Sequence, residues 1–112
     1  MSLIINYSPD AREDLLGIKE YISEVLLNPQ AASRIITEIA KRIDSLADSP
    51  ELGPRISSRF GIETDFRYLV VENYLVFYRI TQNSINILHI LNGRQNYLEK
   101  LFPKTNLCPE TL

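Results

Sequence analysis

Between Phe66 and Ile90 the apolar positions fall in three runs, Phe66 to Glu72, Tyr74 to Thr81 and Ser84 to Ile90, separated only by Glu72-Asn73 and Gln82-Asn83. Each run is rich in β-branched and aromatic residues. The spacing predicts a three-stranded meander joined by two-residue hairpin loops, with asparagine supplying the positive φ that such turns need. Pairing across the loops sets Val71 opposite Tyr74, Leu69 opposite Val76 and Arg67 opposite Tyr78, then Tyr78 opposite Ile87 and Val76 opposite His89. On that register Arg67, Tyr74, Tyr78 and His89 share one face. The other face holds Phe66, Tyr68, Val70, Leu75, Phe77, Leu88 and Ile90, interrupted by Arg79 and Asn86 at one end, and is expected to be the packed one. A one-residue slip in either turn would change this assignment.

The first half of the chain has a different period. Leu3 to Tyr7 is a short apolar run suited to a further strand. Ser8-Pro9-Asp10 then opens a helix: Ser8 can cap free amides, Pro9 fits the first helical position, and Asp10, Glu13 and Asp14 complement the positive end of the dipole. Ala11, Leu15, Ile18, Ile22 and Val25 or Leu26 recur at spacings of three and four, one apolar face of a helix. Asn28-Pro29 repeats the start signal, and Ala32, Ile35, Ile36, Ile39, Ile43 and Leu46 form the second stripe. Two amphipathic helices joined this tightly fold back as an α-hairpin, about residues 9 to 48. Ser49-Pro50 and Gly53-Pro54 stop the second helix, and Arg55 to Thr64 is expected to be a loop with at most a short helical turn. After Asn92-Gly93, residues Arg94 to Phe102 suit a short terminal helix closed by Pro103.

Composition narrows the class. At 112 residues and 12.9 kDa, with 45% hydrophobic and 23% charged residues, the chain is ordinary for one soluble globular domain. No apolar run reaches bilayer length, and the start lacks a basic segment followed by an apolar signal core, so a cytoplasmic protein is expected. The single Cys108 cannot form an intrachain disulfide. The net charge of −2 argues against a general nucleic-acid binder. It also conceals a polarity: residues 1 to 52 carry five Lys/Arg against nine Asp/Glu, and residues 53 to 104 carry seven against four. The sheet half is the cationic half.

The order β-α-α-β-β-β, with an optional final helix, resembles the RelE/ParE superfamily of bacterial toxins from type II toxin-antitoxin modules. The carriers are Ser8-Pro9-Asp10-Ala11 before Asp14-Leu15 and Tyr21-Ile22, Asn28-Pro29 with Ala31-Ala32, and Leu46 through Ser49-Pro50-Glu51-Leu52-Gly53. Arg67, Tyr74 to Arg79 and Gly93-Arg94-Gln95-Asn96-Tyr97 complete the set. The resemblance implies an α+β fold, an α-hairpin on a small antiparallel sheet, in a single domain over residues 1–102 followed by a tail, 103–112. It implies a growth-inhibiting toxin neutralised by a cognate antitoxin and joined to it in an oligomer, with no membrane partner and no cofactor. The helix-hairpin residues are more similar to the ParE and plasmid-stabilisation branch, whose target is DNA gyrase, than to RelE, which cleaves mRNA at the ribosome.

Cutting RNA through its 2′-hydroxyl needs a base, cationic stabilisation of the phosphorane-like transition state and an acid for the leaving oxygen. Aligned roughly with RelE-type nucleases, Arg67 stands where they place one sheet lysine, Leu69 and Leu75 replace further cations, and Gln95 replaces a late arginine unless Arg94 substitutes for it. A ribonuclease would therefore have to rely on Arg67, His89 and Arg94, whereas a protein-binding toxin would use Tyr74, Tyr78 and Tyr97. Each also has a simpler role. The tyrosines and Arg67 suit a half-exposed sheet face, His89 suits a structural strand histidine, and Arg94 could cap the sheet edge. No His, Cys or carboxylate cluster stands at metal-ligand spacing, so no metal site is expected. A homologue that only binds an antitoxin is the third alternative.

Overall fold

Ser8 and Asn28 do what their places in the chain imply: the Ser8 hydroxyl accepts from the Ala11 N–H at 3.0 Å and the Asn28 amide oxygen from the Ala31 N–H at 3.1 Å. Each cap is followed by a proline that needs no N–H partner, and each starts a helix. The computed structural model of the chain describes residues 3–56 and 64–93. Within them β1 (Ile4–Tyr7) leads into α1 (Pro9–Glu20), a π-helical turn (Tyr21–Val25) and α2 (Pro29–Asp44). Short 3₁₀ turns at Ser45–Ala47 and Pro50–Leu52 follow, then β2 (Arg67–Val71), β3 (Tyr74–Ile80) and β4 (Ser84–Asn92). The expected terminal helix at 94–102, the tail at 103–112 and most of the 55–64 loop lie outside the described residues.

The fold is α+β. The sheet order is β1-β4-β3-β2, with β2, β3 and β4 antiparallel in sequence and β1 added parallel to β4, from Ile4 opposite Ser84 to Tyr7 opposite Ile87. The sheet is therefore mixed rather than wholly antiparallel. The first hairpin has the expected register, Val71 opposite Tyr74 and Arg67 opposite Tyr78. The positive φ of its loop falls on Glu72 (56°) instead of on an asparagine.

The second hairpin begins as expected, with Tyr78 opposite Ile87, but a bulge at Leu88 then shifts the register, so that Phe77 meets His89 and Val76 meets Ile90. One extra residue moves every later side chain of β4 to the other parity. Ile90 is thereby brought to the face shared with Val76.

The sheet is apolar on both sides. The helices cover Leu69, Val71, Tyr74, Val76, Tyr78, Ile85, Ile87 and Ile90, packed with Ala11, Ile39, Ile43 and Leu46. Phe77 and Ile39 are buried as the sequence predicts, yet Phe77 belongs to a second cluster with Ile56, Tyr68 and Leu91. The face assignment is thus corrected: Tyr78, not Phe77, meets the helices. A face containing two tyrosines can be the core because each hydroxyl needs only one or two local partners, while the remaining positions on that face are β-branched or leucine.

The α2 stripe is as expected, with Ala32, Ile39, Ile43 and Leu46 buried. In α1 and the π turn Ala11 and Ile22 are buried, whereas Val25 and Leu26 are exposed. Among the described residues no helix is long and apolar enough to cross a membrane.

Candidate functional site

The sequence singles out Arg67, Tyr74, Tyr78 and His89 as one surface; the fold divides them among three environments. Arg94 and Tyr97 lie outside the described residues. Arg67 and Tyr78 are brought together, directly opposite each other on β2 and β3, but both are turned to the loop that follows α2. The Tyr78 hydroxyl donates to the Pro50 carbonyl at 2.8 Å and accepts from the Gly53 N–H at 2.9 Å. An Arg67 N–H donates to the Gly53 carbonyl at 2.7 Å. With its side chain fully buried, Tyr78 presents no surface to a partner. Burial raises its pKa above 10.0, opposed by the Gly53 N–H and by Arg67.

Gly53 is required at this junction by close approach. A Cβ there would collide with the Tyr68 carbonyl oxygen and stand 2.9 Å from the Tyr78 hydroxyl. Gly53-Pro54 reads in the sequence as a helix stop, and its role as the floor for Tyr78 and Arg67 is visible only once β2 and β3 are placed above it.

His89 sits against the start of α1. Its Nδ1 is 2.9 Å from an Asp14 carboxylate oxygen, and its Nε2 is 3.7 Å from Asp10. The same Asp14 oxygen accepts the Ile90 N–H at 3.0 Å, so the carboxylate takes over β4 where β1 has ended. Ser8 completes the junction: its N–H donates to the Ile87 carbonyl and its hydroxyl to the Leu88 carbonyl, at the bulge. Asp10 and Asp14 are helix-start residues by sequence, and no local signal pairs them with a histidine 75 positions away. This arrangement can hold a protonated imidazole or fix one tautomer of a neutral one. It sets two carboxylates beside the only histidine, an environment that repels a phosphodiester.

Tyr74 is mostly buried at the other end of the sheet, and its pKa is raised by burial, with Tyr21 and Glu72 adding to the effect. Beside it lies an open cavity of about 430 Å³ lined by Val70, Glu72, Asn73, Leu75, Asn92 and Gly93. Arg34 of α2 reaches Glu72 at 2.7 Å and ties this turn to the helices. Among the described residues no group of three or more His, Cys, Asp or Glu side chains is placed to hold a metal ion.

Three comparisons bear on these observations. The sequence model of the family described as ParE toxin of type II toxin-antitoxin system, parDE, matches residues 5–97. Among solved structures, the chain is similar to one described as the chromosomal ParDE toxin-antitoxin system from P. aeruginosa, with a TM-score of 0.67 and 21% sequence identity. That alignment covers 81% of this chain and 96% of the other. No curated protein matches the chain.

Proposed function

This chain belongs to the ParE toxin family of type II toxin-antitoxin systems, and from that premise we propose that it arrests growth by binding DNA gyrase and is neutralised by a cognate antitoxin in the cytoplasm. The observation that carries the choice of target is the state of the residues an RNA-cleaving enzyme would need. Arg67 is committed to the Gly53 carbonyl, and Tyr78 is buried with its hydroxyl committed to Pro50 and Gly53. His89 faces Asp10 and Asp14. Stabilising a phosphorane-like dianion requires cations aimed at the reacting phosphate, and these groups are aimed elsewhere.

Inhibition of a protein target demands a contact surface and no reacting groups, which agrees with the acidic balance of the helix half. The deciding experiment is induction of the toxin followed by parallel measurement of plasmid supercoiling and primer-extension mapping of mRNA. Loss of supercoiling before translation stops is expected. Discrete cuts within translated codons that vanish in Arg67→Ala or His89→Ala would overturn the gyrase assignment in favour of a ribosome-dependent ribonuclease.

A further inference from the structure

The hairpin end, Tyr21 to Asn28, departs from ordinary helix termination in three ways at once. Its last turn is π-helical, closed by the Leu26 N–H to the Tyr21 carbonyl at 3.1 Å. The wider turn rotates Val25 and Leu26 off the face that buries Ile22. Leu27 then takes φ 53°, the left-handed conformation usually given to glycine or asparagine at a helix C-terminus. Finally, Tyr21, Val25, Leu26 and Leu27 are all exposed, Leu27 at 80%. Left-handed backbone in a leucine and four exposed apolar side chains within seven residues both cost stability, and neither serves this chain's own core. Such costs collect where a surface is kept for a partner.

The charges around the hairpin end select the occupant. Glu20 and Glu24 are exposed between the apolar residues, against Lys19 alone in the same stretch. Symmetric pairing of two copies through this end would set each glutamate near its equivalent, which opposes self-association. A segment offering apolar side chains flanked by Lys or Arg meets both features. Taking the antitoxin-neutralised function above as given, we propose that the hairpin end is a docking site for an antitoxin segment of that chemistry, held by Tyr21, Val25, Leu26 and Leu27 and oriented by Glu20 and Glu24.

The test uses the full chain and the antitoxin encoded beside it, with affinities from calorimetry and thermal melts of each variant alone. Leu26→Glu is expected to weaken binding tenfold or more at unchanged melting temperature. Leu27→Gly, which relieves the left-handed backbone and so folds at least as well as the parent, is expected to weaken it threefold or more. Glu20→Gln with Glu24→Gln is expected to flatten the dependence of the association rate on salt. Affinities within twofold of the parent for both leucine variants overturn the docking site while leaving the module assignment intact. A parent chain that does not bind the antitoxin overturns the module assignment and the docking site with it. A parent dimer in sedimentation that the same variants dissociate overturns it in favour of self-association.

Discussion

The two ends of α1 are built on opposite terms. At its start, Ser8 and Asp14 give their polar atoms to β4: the Ser8 hydroxyl to the Leu88 carbonyl, and the Asp14 carboxylate to the Ile90 N–H and His89. At its far end the chain leaves Val25, Leu26 and Leu27 to solvent and holds Leu27 in a left-handed backbone. The loop under Tyr78 belongs with the start, since Pro50, Gly53 and Arg67 have their polar groups matched there. Polar side chains that look chemically capable are structural in this protein, and the apolar ones that look structural are the available surface. Substitutions in the closed regions should therefore move stability, and substitutions at the open end should move binding.

The most damaging change expected is Gly53→Ala. Its Cβ would run into the Tyr68 carbonyl and press on the Tyr78 hydroxyl, and because one of these neighbours is backbone, the loop must shift. A loss of about 3 kcal/mol or more is expected, the scale of overpacking combined with broken buried hydrogen bonds. A urea titration that finds Gly53→Ala within about 1 kcal/mol of the parent would show that the loop is loose and the closed region is not closed.

Tyr78→Phe comes next. It keeps the ring packing but leaves the Pro50 carbonyl and Gly53 N–H without the hydroxyl, which should cost about 2 to 3 kcal/mol. The parent also has a signature in alkali. Burial raises the Tyr78 pKa in the fold above 10.0, so between the unfolded value and the folded one the native state holds a proton that the unfolded chain has released. Its contribution is complete below about pH 10 and is lost as pH rises from there towards the folded pKa. Tyr7 and Tyr74, also raised by burial, share in this decline. Tyr78→Phe should flatten it without removing it, measurable as melting temperature against pH from 8 to 11.

Asp14→Ala tests the start of α1. The Ile90 N–H and His89 lose one carboxylate between them, at a half-buried position, for an expected loss of about 1.5 to 2.5 kcal/mol. Ser8→Ala should cost about 1 kcal/mol through the cap, with the Leu88 contact adding to it. If neither variant changes stability, the junction is incidental and His89 is freer than its geometry states.

Much of this division was legible in the sequence, and the rest fails for identifiable reasons. Both helix starts, the two apolar stripes, the extra strand at Ile4–Tyr7 and the register of the first hairpin follow from caps, periods and loop length. The packed face does not, because β2, β3 and β4 are apolar on both sides. Counting Arg67, Tyr74, Tyr78 and His89 against the other face overlooks Leu69, Val71, Val76 and Ile87, which lie among them. The bulge at Leu88 leaves no residue signature, since neither glycine nor proline marks it. Tyr78 and His89 looked like site residues because their partners, Pro50, Gly53 and Asp14, are supplied by tertiary contact from 25 to 75 positions away. Val25 and Leu26 continue the helical stripe in sequence and leave it only because the turn is π-helical.

The smallest expected effect is the most informative about the open end. Arg34 and Glu72 make the ion pair that connects the start of α2 to the β2–β3 turn, at 2.7 Å but with side chains 62% and 36% exposed. The partnership with Glu72, hydrogen bond first and charge second, raises the arginine pKa further above its ordinary value, which leaves the arginine charged at every pH at which the protein is handled. An exposed pair in high dielectric gains little Coulomb energy and pays in side-chain order. Arg34→Ala should therefore leave the melting temperature unchanged within error, at low and at high salt alike. A clear, salt-sensitive drop would mean that the pair clamps the hairpin to the sheet, making the exposed leucines part of a rigid structural cap instead of a surface left free for a partner.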